Sequence, residues 1–272
     1  MSRQKRSGGG PSRTSQVVAV TRAGIERPHT PEGDPDAQLQ MTFSMRAPSP
    51  RTTARFRASL VARTRFVDEQ VLAALAGGTS QIVIVGAGYD DRALRFRKAG
   101  VHYFEVDHPS TQADKQDRLR RVSSDGTIDP ALSLVSSDLR TAGLARALDA
   151  AGHDPRRPSL FVCEGLLVYL DLPTIGRLLS CLRDRAGAGS VLAVSLAVHD
   201  DGLPSPQVVE IANARRRAGD DEPWVTILPR AGHLRLLEET GWAITGALDA
   251  ADLEVSAERG RSLFVATVPS PR

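Results

Sequence analysis

The chain has 272 residues, of which 41% are hydrophobic and 25% are charged, and its formal net charge is +3 at pH 7. This length can bury one substantial core, which favours one domain with appendages over two domains. The mild charge and an aromatic content of 4% argue against a nucleic-acid-binding surface, which would show a basic stripe with interleaved aromatic residues. Two cysteines, Cys163 and Cys181, are too few for a disulfide framework or a zinc site. We therefore expect no metal ion and no nucleic-acid partner.

Targeting signals are also missing from the sequence. No apolar segment approaches the length of a membrane span, and the basic N-terminus lacks the apolar region of a signal peptide. Almost all basic residues are arginine, which is typical of a GC-rich bacterial genome. We expect a soluble bacterial protein of the reducing cytoplasm, without a membrane partner.

The N-terminal part is predicted to be a tail followed by a helical cap. Residues 1–15 are rich in Gly, Ser and Arg and predict a flexible tail. Residues 16–26 predict a short helix, and residues 27–40 a proline-rich connection. Apolar positions at a helical period predict a helix over 57–75. We assign residues 16–80 to the cap and residues 81–272 to the core.

Strands and helices alternate through the core. Strands are predicted at 82–85, 103–106, 132–135, 160–163, 191–196, 242–247 and 263–268. Helices are predicted at 91–98, 111–120, 141–150, 172–184 and 231–240. This alternation predicts an α/β, Rossmann-like, doubly wound sheet of seven strands with helices on both faces. The last two strands have no helix between them, so they are predicted to pair as an antiparallel hairpin at one edge. Residues 200–227 have few strand signals and are a candidate lid over a substrate.

A glycine turn follows the first predicted strand, in the segment IVIVGAGYDDRALRF. Gly86 and Gly88 supply two glycines of a nucleotide-binding turn, while the third glycine of the dinucleotide fingerprint is absent. Asp107 ends the second strand, where a carboxylate can accept hydrogen bonds from both hydroxyls of a ribose. The combination favours a ligand that contains adenosine. An ordinary strand-to-helix turn followed by exposed acids is the alternative.

Two more acids follow predicted strands. Asp138 comes after the third strand and Glu164 after the fourth. Because parallel strands bring their carboxyl ends to one edge, these acids and Asp107 are expected at a common cleft. A helix cap is the alternative reading for each acid taken alone.

At this point the sequence resembles a family, the class I S-adenosylmethionine-dependent methyltransferases. Within it, the chain is most similar to leucine carboxyl methyltransferase and its bacterial small-molecule O-methyltransferase relatives. The resemblance is carried by QIVIVGAGYDDRALRF, YFEVDHPSTQADKQDRL, SSDLR and CEGLLVYLDLP, in family order, and extends back to ARTRFVDEQV. Family members carry the same seven-stranded sheet.

The resemblance implies where the adenosine half of the cofactor lies. Gly86 and Gly88 would lie against S-adenosylmethionine, and Asp107 would hold its ribose. Asp138 would face the amino group of the adenine, and Leu139 would contact the flat face of the ring.

The resemblance also implies residues for the methionine half. Arg63 would pair with the methionine carboxylate, a task that suits a guanidinium, and Arg65 remains an alternative. Glu164 would lie near the methionine end. Where the family commonly shows Asp-Thr-Arg after the glycine turn, this chain has an acid, Asp91, in place of the hydroxyl. His199 follows the fifth strand and is the fallback general base.

The sequence therefore predicts an S-adenosylmethionine-dependent O-methyltransferase. The expected acceptor is a carboxylate or hydroxyl of a small molecule, as in secondary metabolism. A nicotinamide-dependent oxidoreductase and a non-catalytic protein that binds S-adenosylmethionine are the alternatives; the missing third glycine argues against the oxidoreductase.

Overall fold

The computed structural model describes residues 10–45, 54–199, 202–215, 222–249 and 262–269. Its helices are α1 (Arg13–Ala23), α2 (Ala37–Thr42), α3 (Ala54–Ala76), α4 (Arg92–Arg95), α5 (Pro109–Val122), α6 (Leu144–Ala150), α7 (Leu172–Asp184), α8 (Ser205–Arg215) and α9 (Arg230–Glu239). Its strands are β1 (Gln81–Val85), β2 (His102–Asp107), β3 (Leu132–Ser136), β4 (Ser159–Cys163), β5 (Val191–Ala197), β6 (Trp242–Asp249) and β7 (Ser262–Pro269). A short 3-10 turn lies at Leu167–Tyr169. None of the described helices is long and apolar enough to cross a membrane.

The strands form one sheet in the order β3-β2-β1-β4-β5-β7-β6. The five strands β1 to β5 are parallel, and β7 is antiparallel to both of its neighbours, β5 and β6. The predicted fold class is confirmed, including the antiparallel last strand. The last strand does pair with β6, but it inserts between β5 and β6, so that β6 forms the edge.

Helices cover both faces of this sheet. On one face, Phe66, Val67 and Val71 of α3 join a cluster with residues of β4, β5 and β7, and the ring of Phe66 stacks on that of Phe264. On the other face, Ile175 and Leu179 of α7 join a second cluster with β4 and β5. Every residue of β1 and of β4 is buried, as expected for central strands of a parallel sheet. The core therefore lies in two layers, one on each side of the sheet.

Local sequence explains the clearest helix, α7. The side chain of Asp171 accepts a hydrogen bond from the backbone N–H of Thr174 at 2.8 Å, and Pro173 lies in the first turn. On the same face of the sheet, Trp242 at the start of β6 is fully buried, and its indole N–H donates to the carbonyl of Leu179 at 3.0 Å. This bond fixes β6 against α7.

Several predicted bounds differ from the structure. The helix predicted over 91–98 is only one turn, α4, because the carbonyls of Arg95 and Arg97 accept hydrogen bonds from Thr30 instead of continuing the helix. Residues 27–40 were predicted as a connection, but α2 begins within them at Ala37. The helix α8 lies in the segment predicted as a lid, of which residues 200–201 and 216–221 lie outside the described residues.

The helices α1 and α2 pack together at the carboxyl edge of the sheet. Ala19 of α1 and Met41 of α2 bury a small apolar cluster with Tyr89 of the glycine turn. The predicted tail falls mostly on residues 1–9, which lie outside the described residues, and α1 begins at Arg13, inside the range predicted as tail. The division into cap and core near residue 80 stays a prediction, since α3 packs on the sheet itself.

Candidate active site

The carboxyl ends of four neighbouring strands lie side by side at one edge of the sheet. Because β3, β2, β1 and β4 are parallel and adjacent in that order, the residues that follow them share this edge. Gly86 and Gly88 follow β1, Asp107 ends β2, Asp138 follows β3 and Glu164 follows β4. The strand order changes direction between β1 and β4, which is the switch point where open α/β sheets bind ligands. The predicted grouping of these residues is thus present.

The glycine turn allows close approach to its backbone. Gly86 and Gly88 have φ angles of 68° and 52°, in the region that favours glycine. A Cβ added at Gly86 would lie 2.7 Å from Cδ1 of Leu166, and one added at Gly88 would lie 2.7 Å from Cβ of Ser15. Neither position accepts a side chain without moving these neighbours. The first turn of α1 therefore lies directly on the glycine turn.

Asp107 is held rigidly beside that turn. Its Oδ2 accepts the backbone N–H of Gly88 at 2.7 Å, and its Oδ1 accepts that of His108 at 2.6 Å. The residue is half-buried. Two backbone donors thus fix the orientation of the carboxylate at the end of β2.

Asp138 and Leu139 lie on the far side of Asp107. Arg140 forms a fork with Asp138, with its Nε at 2.9 Å from Oδ1 and its Nη2 at 2.8 Å from Oδ2. These hydrogen bonds lower the pKa of Asp138 below its ordinary value. Leu139 is partly buried against the core. The structure therefore presents an ionised acceptor next to an apolar side chain.

Glu164 is the centre of a buried group of charges. Its Oε1 lies 2.6 Å from Nη2 of Arg22 and 3.0 Å from Nε of Arg63, and its Oε2 lies 2.8 Å from Nη1 of Arg92. Burial by itself raises the pKa of Glu164, but the three guanidinium groups outweigh burial and lower it to about 2. Glu164 is therefore ionised at neutral pH.

The two candidate arginines of α3 have different surroundings. Arg63 contacts Glu164, and its side chain is 20% exposed. It also approaches Gly165, where an added Cβ would lie 2.8 Å from its Nη1. Arg65 is exposed. This geometry favours Arg63 over Arg65 as a residue of the site.

Sequence reasoning missed Arg22 entirely. This arginine lies in the last turn of α1, and it contacts Glu164 and, at 3.4 Å, Asp90. No local signal marks it, because the contact with Glu164 spans 142 positions of the chain. An arginine near the end of a helix is more often solvated, or interacts with the helix dipole.

His199 lies two residues beyond β5, the strand next to β4. It is buried, and its Nε2 is 3.1 Å from the hydroxyl of Ser205 at the start of α8. Its backbone N–H donates to the carbonyl of Leu228 at 3.2 Å. The residue therefore lies at the carboxyl side of the sheet, between the core and the candidate lid.

Comparisons with known proteins show the family to which this chain belongs. A family model described as leucine carboxyl methyltransferase matches residues 19–183. The chain belongs to the leucine carboxyl methyltransferase family. A "Putative S-adenosyl-L-methionine-dependent methyltransferase" of Mycolicibacterium gilvum is 33% identical over 211 residues, which cover 72% of this chain and 66% of the relative. The chain spans about half to two thirds of the length of the curated relatives it matches.

Solved structures share the fold of this family member. A "putative methyltransferase" from Thermobifida fusca YX has a TM-score of 0.63 at 16% identity, over 98% of this chain and 97% of the other. A magnesium protoporphyrin IX methyltransferase from Synechocystis PCC 6803, solved with bound SAH, has a TM-score of 0.53 at 15% identity, over 82% of this chain and 90% of the other. The predicted family is confirmed, and the predicted enzyme class and cofactor are those of its S-adenosylmethionine-dependent members.

The residues at the edge of the sheet fit that cofactor. Glycine at positions 86 and 88 leaves the turn without side chains of its own, and a fixed carboxylate, Asp107, lies beside it. The methionine end needs a positive partner, and Arg22 and Arg63 meet at Glu164.

Proposed function

We propose that this protein is an S-adenosylmethionine-dependent O-methyltransferase that acts on a carboxylate or hydroxyl of a small molecule of secondary metabolism. The observation that carries the proposal is the row of Asp107, the glycine turn and Glu164 at the switch point of the sheet. Membership of the leucine carboxyl methyltransferase family supports it.

The adenosine half would be bound by β1, β2 and the residues after β3. Gly86 and Gly88 would face it with backbone alone. Asp107, already oriented by two backbone N–H groups, would accept hydrogen bonds from the ribose hydroxyls. Asp138, kept ionised by Arg140, would accept one from the adenine amino group, and Leu139 would pack on the ring.

The methionine half would be bound around Glu164. Arg63 would bind its carboxylate, and its contact with Glu164 fixes the guanidinium in place. Arg22 contacts the same oxygen of Glu164, Oε1, and adds a second positive charge to the site. The ionised Glu164 would in turn attract the ammonium group.

On the acceptor side, the reaction depends more on the alignment of the acceptor oxygen than on removal of a proton from it. When bound, S-adenosylmethionine supplies a methyl group that its sulfonium already activates. The protein then has to place the acceptor oxygen in line and exclude water. A carboxylate acceptor is ionised at neutral pH and needs no base, whereas a neutral aliphatic hydroxyl needs one. We propose a carboxylate or an acidic phenol as the acceptor, with His199 as the base if the acceptor is a neutral hydroxyl.

Calorimetry tests the cofactor first. The protein is expected to bind S-adenosylmethionine and S-adenosylhomocysteine but not NAD. Tight binding of NAD would instead favour an oxidoreductase.

Turnover tests the reaction. Incubation with methyl-labelled S-adenosylmethionine and a panel of small carboxylic acids, phenols, aliphatic alcohols and amines should give a labelled product. If that product is a methyl ester, alkali releases its label as methanol. Cofactor binding without transfer to any acceptor would identify a non-catalytic binding protein, and transfer only to nitrogen would contradict the O-methyltransferase proposal.

A further inference from the structure

Two consecutive acids after the glycine turn each bind an arginine of the N-terminal segment. Asp90 lies 3.4 Å from Arg22 of α1. Asp91 accepts a fork from Arg27, with Nη1 at 2.8 Å from Oδ1 and Nη2 at 2.7 Å from Oδ2. The exposed fractions of the Arg27 and Asp91 side chains are 5% and 0%. A buried, bidentate charge pair therefore joins the segment after α1 to the segment after β1.

The chain that follows Arg27 docks on α4. Arg95 donates to the carbonyl of Pro28, and its own carbonyl accepts the backbone N–H of Thr30 at 3.2 Å. Gly33 packs so closely that an added Cβ would lie 1.8 Å from the carbonyl oxygen of Arg95. The Arg27–Asp91 pair thus lies between the end of α1 at Ala23 and the residues from Pro28 onward that pack on α4.

The identity of residue 91 matters for this pair. Residue 91 is an aspartate, and each of its two carboxylate oxygens accepts one N–H of Arg27. A hydroxyl offers one uncharged oxygen and cannot accept both N–H groups of a guanidinium in a fork. Burial of Asp91 opposes its charge, but Arg95 and Arg27 outweigh burial and lower its pKa. The acid is therefore the ionised partner that the fork needs.

We propose that Arg27 and Asp91 are positioning residues that hold α1 on the glycine turn, so that Arg22 stands beside Arg63 at Glu164. The proposal rests on the proposed function, since it assigns Arg22 to the methionine end of the S-adenosylmethionine site. Arg27 acts through Arg22 and does not itself touch the cofactor. Loss of the Arg27–Asp91 pair would release the last turn of α1. The positive charge of Arg22 would then move away from the methionine end of the site.

The test compares two ligands that differ only at the methionine end. S-adenosylhomocysteine carries the amino and carboxylate groups, and 5′-methylthioadenosine lacks both. Arg27→Gln is expected to weaken S-adenosylhomocysteine about tenfold, the order of one lost charge-assisted hydrogen bond, and to leave 5′-methylthioadenosine within about twofold. Arg27→Lys, which keeps the charge but not the fork, should fall between the wild type and Arg27→Gln.

The variant is expected to fold, because Asp91 keeps Arg95 at 3.1 Å, and the thermal midpoint by circular dichroism checks this. Arg97→Gln is the matched control, since it removes an Arg–Asp pair with Asp129 outside the cap and should change neither affinity. If Arg27→Gln does not fold, the affinities of Arg27→Lys for S-adenosylhomocysteine and 5′-methylthioadenosine test the positioning role instead.

Two results separate the proposals. Wild-type protein that binds neither ligand would overturn the proposed function. Wild-type protein that binds both, with a variant that loses both equally or loses neither, would overturn the positioning role alone.

Discussion

Replacement of Glu164 by glutamine should remove a large, pH-dependent part of the free energy of unfolding. Burial opposes the charge of Glu164, but Arg22, Arg92 and Arg63 lower its pKa from 4.5 to about 2. Each pKa unit corresponds to about 1.4 kcal/mol, so the ionised carboxylate contributes about 3 kcal/mol to stability at pH 7. Removal of one partner from a buried ion pair costs about 3–5 kcal/mol, which agrees with this figure.

The sign follows from proton binding. Because the pKa of Glu164 is lower in the folded than in the unfolded state, the unfolded state binds more protons between about pH 2 and pH 4.5. The contribution is complete above this window and is lost as the pH falls through it. Urea unfolding of wild type and Glu164→Gln should therefore differ by about 3 kcal/mol at pH 7 and by roughly half as much at pH 3.

The control is Glu69→Gln, which changes an exposed glutamate of α3 and should leave the unfolding free energy unaltered at every pH. If the gap between wild type and Glu164→Gln stays constant from pH 7 to pH 3, the arginines do not stabilise an ionised Glu164 and the reasoning is refuted.

Three further predictions concern the cofactor and the chemistry. Asp107→Ala should weaken S-adenosylmethionine about tenfold or more by calorimetry, through loss of about 1.5–3 kcal/mol of charge-assisted hydrogen bonding; unchanged affinity would contradict the ribose assignment. Arg63→Ala should weaken S-adenosylmethionine yet hardly affect adenosine, which lacks the carboxylate, while the exposed Arg65 should tolerate alanine; equal losses for both ligands would indicate a structural role for Arg63. With a carboxylate acceptor, the methylation rate should be flat from about pH 6 to 9 and nearly unaffected by His199→Ala; a loss of about a hundredfold or more would identify a general base.

Local patterns in the sequence determined the strands, the main helices and the strand-end residues of the site. A fully buried strand such as β1 needs an uninterrupted apolar run, and α7 needs the cap at Asp171 and the proline after it, so both are visible in a few consecutive residues. The glycine turn and Asp107 are visible for the same reason. A parallel sheet then brings the ends of its strands to one edge, which makes their grouping predictable.

The tertiary structure alone decided how the N-terminal segment meets that edge. The short α2 begins at the end of a proline-rich stretch, and its Met41 is buried in a cluster with Ala19 of α1 and Tyr89 of the glycine turn. Arg22 and Arg27 look like ordinary helix and loop arginines until the fold brings them to Glu164 and Asp91, 142 and 64 positions away. Such charges are stable in the interior only as pairs, since a buried charge is costly without its partner. Periodicity and spacing mark which residues become buried, but the pairing of distant charges depends on the packing of the complete chain.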